Sequence, residues 1–340
     1  MSNISTTTTD SLVLNLNTAR AGIQRYGQST LFTVGMIGGI LNILIFLRPS
    51  MRQNSCAIYF HASSWANIFC LCWGVLASML AFMTNNNPAS YNVFYCKFRF
   101  YMINFAQFAS RAFIILACLD RFFLCSASVR HRQLCRARVA KKVVVLVTFI
   151  SGCLAVYVLI TYAPTKGLLP CMATTLGARI YETTSFWLFT FVIPVLSMSI
   201  LSWLTIKRLK QNAKRVGREK ITIAGKDMQL TGMLVAQVFL YFLTNLPYVS
   251  YVLYAALTEN VPTANKSQLR ISVESFLNTL LASFFYYCYN GWSFLVYTLT
   301  APSFRRELIF VLLPRHWIRG TQQNTRHTTY HSNRIVPKNI

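Results

Sequence analysis

Residues 139–163 read VAKKVVVLVTFISGCLAVYVLITYA, and from Val143 onward this stretch contains no Asp, Glu, Lys, Arg or His. A helix rises 1.5 Å per residue, so the uncharged part is long enough to cross the roughly 30 Å hydrocarbon core of a bilayer. A helix also satisfies its own backbone hydrogen bonds where no water is available. The stretch therefore predicts a membrane-spanning helix.

Six further apolar segments lie on either side of this one, and polar connections separate them. The seven predicted spans are Gln28–Leu47, Cys56–Met83, Phe100–Cys125, Val139–Ala163, Tyr181–Ile206, Leu230–Leu257 and Ile271–Leu299. No internal repeat divides them into separate domains. The sequence predicts an all-α membrane protein, a bundle of seven transmembrane helices.

The composition agrees with this prediction. Hydrophobic residues make up 54% of the chain and charged residues 12%, whereas soluble domains carry about 25% charged residues. The formal net charge of +25 would suggest nucleic-acid binding in a soluble protein. Here the charges lie between long apolar runs, so we expect a lipid bilayer as the partner and no nucleic acid.

The distribution of basic residues predicts the orientation. Twenty-four Lys and Arg residues lie in four connecting or terminal segments, 48–55, 121–142, 207–227 and 301–340. Only eight lie in the alternate segments, 1–27, 84–99, 164–180 and 258–270. Cytoplasmic loops are enriched in Lys and Arg. We therefore predict a multi-pass plasma-membrane protein with an extracellular N-terminus and a cytoplasmic C-terminus.

This orientation divides the chain into an extracellular tail (1–27), the bundle (28–300), a short helix (301–314) and a cytoplasmic tail (315–340). The opening residues MSNISTTTTD include no basic residue, so we expect no cleaved signal peptide and a first span that directs insertion. Asn3-Ile4-Ser5 and Asn265-Lys266-Ser267 match the N-glycosylation motif in segments predicted outside.

Most of the ten cysteines lie within the apolar spans, and two lie in segments predicted to be outside. Cys96 precedes the third span, and Cys171 is in the outer loop after the fourth. Disulfides persist in an oxidising compartment, so we predict a Cys96–Cys171 bond; the alternative is two free thiols.

The sequence shows no recognisable catalytic motif. It lacks a phosphate-binding loop, a G-x-S-x-G motif, paired carboxylates and a Cys/His cluster with zinc spacing. We expect neither enzymatic activity nor a bound metal or cofactor.

The end of the third span identifies a resemblance. It reads Leu119-Asp120-Arg121-Phe122, with Arg121 25 residues after Cys96. Together with seven spans and an outside N-terminus, this resembles the rhodopsin-like (class A) G-protein-coupled receptors. Their third helix runs from a disulfide Cys to an Asp-Arg-Tyr motif at this spacing. The resemblance covers about residues 25–313.

Other residues match the family's positions one by one. Asn42 matches the first-helix Asn of its interhelical polar network. Pro247 matches the sixth-helix proline, where a missing backbone hydrogen bond kinks the helix. Tyr297 matches the seventh-helix Tyr, and Ser303–Leu313 would form the short amphipathic eighth helix that follows.

The sequence also departs from the family pattern. Asn67 stands where an Asp is usual, so with Ser110 it would line a sodium pocket that lacks the anionic charge. The sixth helix reads Thr244-Asn245-Leu246-Pro247 instead of Cys-Trp-x-Pro, and Ser293 replaces the Asn of Asn-Pro-x-x-Tyr. With these departures, the chain resembles invertebrate peptide receptors of the FMRFamide-like sort.

The resemblance implies a switch at the inner membrane edge. Arg121 would pair with Asp120 and, across the helix gap, with Asp227 at the start of the sixth span. An agonist that prefers the open form would separate helices three and six and admit a heterotrimeric G protein. The alternatives are that Arg121 serves only as a topology signal and that Asp227 is a solvated charge in a loop.

Arg111 lies in the middle of the third span, and an ionisable residue at this depth is a functional hypothesis by default. We assign it to the core polar network with Asn42, Asn67 and Ser110. It could bond backbone carbonyls, amide side chains or water, or take part in activation.

By resemblance, one face of the third helix lines the outer ligand pocket. The predicted pocket residues on helices three, six and seven are Arg99, Ile103, Gln107, Tyr248, Tyr251, Thr279, Ser283 and Tyr287. Each could equally be a packing residue. Ile103 replaces the Asp of amine receptors, and the seventh span has no Lys for retinal. We favour an extracellular peptide ligand. The alternatives are a non-aminergic receptor for a small molecule or lipid and, less favoured, a transporter.

Overall fold

A computed structural model describes residues 2–126, 128–165, 170–215, 221–258 and 265–312. Within these ranges, the side chains of residues 2–9, 212–215 and 221–228 lie outside the description. Asn3 and Asp227 are therefore known only as backbone positions on helices.

In the described residues, a long helix coincides with each of the seven apolar stretches. They comprise α1 (Ser2–Gly22, Ile23–Gly27 and Gln28–Phe46), α2 (Ser55–Met83), α3 (Val93–Leu124), α4 (Ala137–Thr161), α5 (Leu176–Ser185, Phe186–Val192 and Ile193–Arg215), α6 (Ile221–Leu257) and α7 (Gln268–Leu277, Asn278–Phe285 and Tyr286–Thr300). A shorter helix, α8 (Pro302–Leu312), comes next.

Six helices in the described residues, α1 to α6, are long and apolar enough to cross a membrane. On α4, Val145 and Phe149 are 71% exposed and Ile160 is 74% exposed, as expected for side chains that face lipid. The predicted helical membrane bundle is thus confirmed. α7 has sufficient length but is more polar, so its crossing stays a prediction.

Side-chain caps explain where two of the helices begin. Asn92 accepts a hydrogen bond from the backbone N–H of Tyr95 at 3.0 Å and starts α3 seven residues before the predicted Phe100. Asn54 does the same for α2 by accepting from the N–H of Cys56 at 3.0 Å. The predicted ends of α2, α4 and α7 lie within three residues of the observed ends.

The segment predicted as a tail, 1–27, is helical from Ser2 and continues directly into the first span. It packs along the outer part of α7. There the Arg20 guanidinium donates to Ser275 Oγ at 2.6 Å. This lateral contact explains why a polar segment remains helical beyond the apolar stretch.

The central helix of the bundle is α3, which packs against α2, α4, α5 and α6. α7 packs against both α6 and α1 and closes the ring. α1 and α7 approach closely at Gly35, where a Cβ would lie 2.9 Å from the Gly291 Cα.

At the face that the sequence predicts to be extracellular, here called the outer face, strands β1 (Tyr162–Pro164) and β2 (Cys171–Ala173) form an antiparallel pair. A disulfide joins Cys171 to Cys96 near the start of α3, with Cα atoms 5.7 Å apart. The short sheet is thereby fastened over the α3–α4 side of the bundle.

Candidate functional site

Asp120 and Arg121 form a buried ion pair at the inner end of α3. Arg121 Nη2 lies 2.7 Å and Nε 3.2 Å from Asp120 Oδ2. The two residues are 6% and 2% exposed. Pairing reduces the cost of burying either charge. The structure therefore brings these two predicted switch residues together.

Asn54 also contacts the switch, although the sequence did not indicate it. Its Oδ1 accepts from Arg121 Nη2 at 3.0 Å while capping α2. Asn54 forms an isolated backbone bridge to Arg136, just before α4. Through its side chain and its backbone, Asn54 thus connects α2, α3 and the segment between α3 and α4.

Cys135 packs against the same pair from the connecting segment. Its Sγ lies 3.2 Å from the carbonyl oxygen of Asp120. Burial, reinforced by the Asp120 charge, raises the pKa of the Cys135 thiol to about 12. This thiol is therefore protonated at neutral pH.

Asp227 lies on the inner part of α6, but its side chain is outside the described residues. Its pairing with Arg121 stays a prediction. Nearby on α6, Gln229 Oε1 accepts a hydrogen bond from the backbone N–H of Ser303 at 3.0 Å. The inner end of α6 is thus bonded to the beginning of α8.

Tyr297 lies in a buried aromatic cluster between helices. Its ring centroid is 5.0 Å from that of Phe60, 5.9 Å from Phe46 and 5.8 Å from Phe304. Phe304 on α8 thus enters the core of the bundle. Pro247 lies within α6, as predicted.

The predicted core network is present in part. Asn67 Oδ1 accepts from Ser110 Oγ at 2.6 Å and from Asn290 Nδ2 at 2.9 Å. Gln107 Nε2 donates to Asn290 Oδ1 at 3.2 Å, so this predicted pocket residue belongs to the network. Among the described residues, the Asn42 amide has no hydrogen-bond partner.

Arg111 is also separate from this network. Its guanidinium lies 5.6 Å from the ring centroids of both Tyr241 on α6 and Tyr286 on α7. These contacts place the charge among α3, α6 and α7, and not against Asn67 or Ser110.

Arg99 has bonded neighbours on α2. Its Nε donates to the Trp73 carbonyl at 3.0 Å and its Nη2 to the Gly74 carbonyl at 3.2 Å. A π-helical segment of α2, Leu71–Leu76, includes both acceptors. The guanidinium is thus hydrogen-bonded to the backbone of α2, whereas Arg99 was predicted to line the ligand pocket.

Other predicted pocket residues form an aromatic layer. Tyr248 lies 4.6 Å from Tyr286 and 5.2 Å from Phe186 between ring centroids. Tyr287 packs against Gly74, where a Cβ would lie 2.3 Å from its ring. The remaining predicted residues, which are all at least half-buried, are Ile103, Tyr251, Thr279 and Ser283. Phe186 and Tyr286 also belong here and carried no sequence signal.

Charged groups lie above this layer. Glu274 is 2.8 Å from Lys266 Nζ and 2.9 Å from Arg270 Nε. Its Oε1 also accepts from the Tyr254 hydroxyl at 3.1 Å. The outer end of α7 therefore presents a cluster of two basic residues and one carboxylate beside Asn265, which is exposed.

Comparison with known families identifies one match. A family model described as 7 transmembrane receptor (rhodopsin family) matches residues 38–292, well over half of the chain. The match runs from the C-terminal part of α1 to the C-terminal half of α7. A search of curated proteins finds no match.

Proposed function

This chain belongs to the rhodopsin family of seven-transmembrane receptors, and on that premise we propose that it converts an extracellular ligand signal into opening of its inner face. The family consists of membrane receptors that signal to G proteins, not enzymes. We further propose the plasma membrane as its location, with the N-terminus outside.

The buried Asp120–Arg121 pair is the observation that carries this proposal. In an ion pair that is almost fully buried, either charge would be costly to leave buried without the other. The amide oxygen of Asn54, a neutral acceptor, adds a hydrogen bond that keeps Arg121 against α2. Rearrangement of these contacts, together with loss of the proposed Arg121–Asp227 attraction, would favour the open form that a G protein binds.

A peptide is the ligand class we propose, as in the FMRFamide-like receptors that the sequence resembles. The described outer region combines an aromatic layer with a mixed-charge cluster at Glu274, Lys266 and Arg270. Such a surface supplies partners for peptide side chains of either charge. Ile103 offers no carboxylate for an amine ligand.

Nucleotide exchange on G proteins tests the proposal. Membranes from cells that express the chain are screened with a neuropeptide library, and we expect an agonist response that Arg121→Ala abolishes. The matched control is Lys141→Ala, which removes an exposed basic residue on the inner part of α4. It should retain the response at equal surface expression.

Retention of the response by Arg121→Ala would disprove the switch. A response only to lipids or other small molecules would disprove the peptide assignment. Silence towards all these classes despite surface expression would contradict coupling itself.

A further inference from the structure

Arg111 is a buried cation with unused hydrogen-bond donors. The residue is 2% exposed. Its Nε and Nη1 have no hydrogen-bond partner among the described residues. Since a guanidinium remains charged at all physiological pH values, both its charge and these donors require compensation.

The described carboxylates lie elsewhere. Asp120 pairs with Arg121, Glu307 with Arg48 and Glu274 with Lys266. Glu182 accepts from the Tyr162 hydroxyl at the outer sheet, and Asp10 is exposed on the outer part of α1. None of these described acids forms an ion pair with Arg111.

The two tyrosine rings compensate only part of this charge. Cation–π contacts with Tyr241 and Tyr286 stabilise the guanidinium. They replace only part of the hydration that the ion loses in low-dielectric surroundings. The hydroxyl of Tyr241 donates to the Thr190 carbonyl on α5, so a contact with another helix holds this ring in place.

Arg99 shows how the same helix satisfies another buried guanidinium. Carbonyl oxygens of Trp73 and Gly74 accept from Arg99. The neighbourhood of Arg111 instead offers the rings and hydroxyl groups of Tyr241 and Tyr286, and Nε and Nη1 remain without a partner among the described residues.

We propose that Arg111 binds a small monovalent anion between α3, α6 and α7, with chloride as the ion that cells supply. A single negative charge neutralises the guanidinium, and its unused N–H groups donate to the ion. Enclosure by Tyr241 and Tyr286 favours a compact ion over a large oxyanion. The site therefore has the opposite charge preference to a sodium pocket.

Thermal unfolding of the purified full chain in detergent tests this site without any agonist. Potassium chloride replaces potassium gluconate at constant ionic strength, with bromide and sulfate as further probes. We expect the Tm to rise with chloride, by about 2–4 °C for each tenfold increase above the Kd. Bromide should act like chloride, and sulfate like gluconate.

Two matched variants locate the effect. Arg111→Gln should be insensitive to chloride. Arg99→Gln removes the other buried guanidinium of this region but should retain the chloride-dependent rise. A rise with chloride in the ligand-free chain also distinguishes a free ion from the carboxylate of an agonist.

An unchanged Tm of the unsubstituted chain across the chloride series would overturn the proposal. So would an equal rise with gluconate or sulfate, or a chloride response that persists in Arg111→Gln. If Arg111→Gln does not fold, the anion series on the unsubstituted chain decides the outcome, with Arg111→Lys as the second variant. Lys retains the charge in a different geometry, so an unaltered chloride Kd in Arg111→Lys would also contradict the assignment.

Discussion

At the residue scale, Asn54 determines how the switch is held. Its side-chain oxygen accepts from the first turn of α2 and from Arg121 Nη2 on α3. A single amide oxygen thus serves local capping and a contact between helices. The contact with Arg121 is not visible in the sequence, because Asn54 and Arg121 are 67 residues apart.

Asn54→Ala should therefore weaken both contacts. We expect a loss of about 1 kcal/mol from the missing cap and, because Arg121 is less constrained, higher nucleotide exchange without agonist. Basal exchange in membranes and the Tm of the purified receptor measure the two effects.

Asn54→Asp is the control, since an aspartate also caps a helix and accepts from Arg121. It should stay near the unsubstituted basal level. Equal basal exchange in Asn54→Ala and the unsubstituted chain would show that Asn54 does not restrain the switch.

At the element scale, the apolar stretches specify which segments are helices but not how those helices are distorted. Segments of π-helix interrupt α1, α2, α5 and α7, and the sequence analysis predicted none of them. In α2 such a segment contains the carbonyls that bind Arg99. This contact involves a partner from another helix, which a pattern within one segment cannot reveal.

The close approach of α1 and α7 leads to a prediction for glycine. In Gly35→Ala, the new Cβ would lie 2.9 Å from the Gly291 Cα and 2.6 Å from Leu71 Cδ1. We expect a loss of about 1–3 kcal/mol from overpacking, measured as a lower Tm.

Gly22→Ala provides the comparison, since a Cβ there meets no atom within 4 Å. This variant should be neutral or slightly stabilising because alanine favours a helix. Equal effects of the two substitutions would contradict close packing at Gly35.

At the scale of the whole molecule, the helical bundle could be predicted because bilayer thickness imposes a length on each apolar segment. The ion pair of Asp120 and Arg121 followed from a motif. The position of Arg111 between two tyrosines did not, since it depends on how α3, α6 and α7 pack. The helical continuation of α1 also depends on a distant contact, from Arg20 to Ser275.

The disulfide connects parts of the molecule that are 75 residues apart. Cys171→Ser should lower stability by about 2 kcal/mol, at the lower end of the usual range, because the membrane already restricts the unfolded chain. The Tm of the purified protein measures the loss.

Cys153→Ser is the matched control, because Cys153 is an exposed free cysteine on α4. It should leave the Tm unchanged. If Cys171→Ser did the same, the Cys96–Cys171 bond would make no contribution to stability.

Two segments cover separate parts of the outer face. The sheet fastened to Cys96 lies at the α3–α4 side, and the continuation of α1 lies along α7. We expect the remaining entrance to be elongated, wider along one axis than across it. A long, narrow molecule that enters lengthwise would fit such an opening better than a broad, flat one.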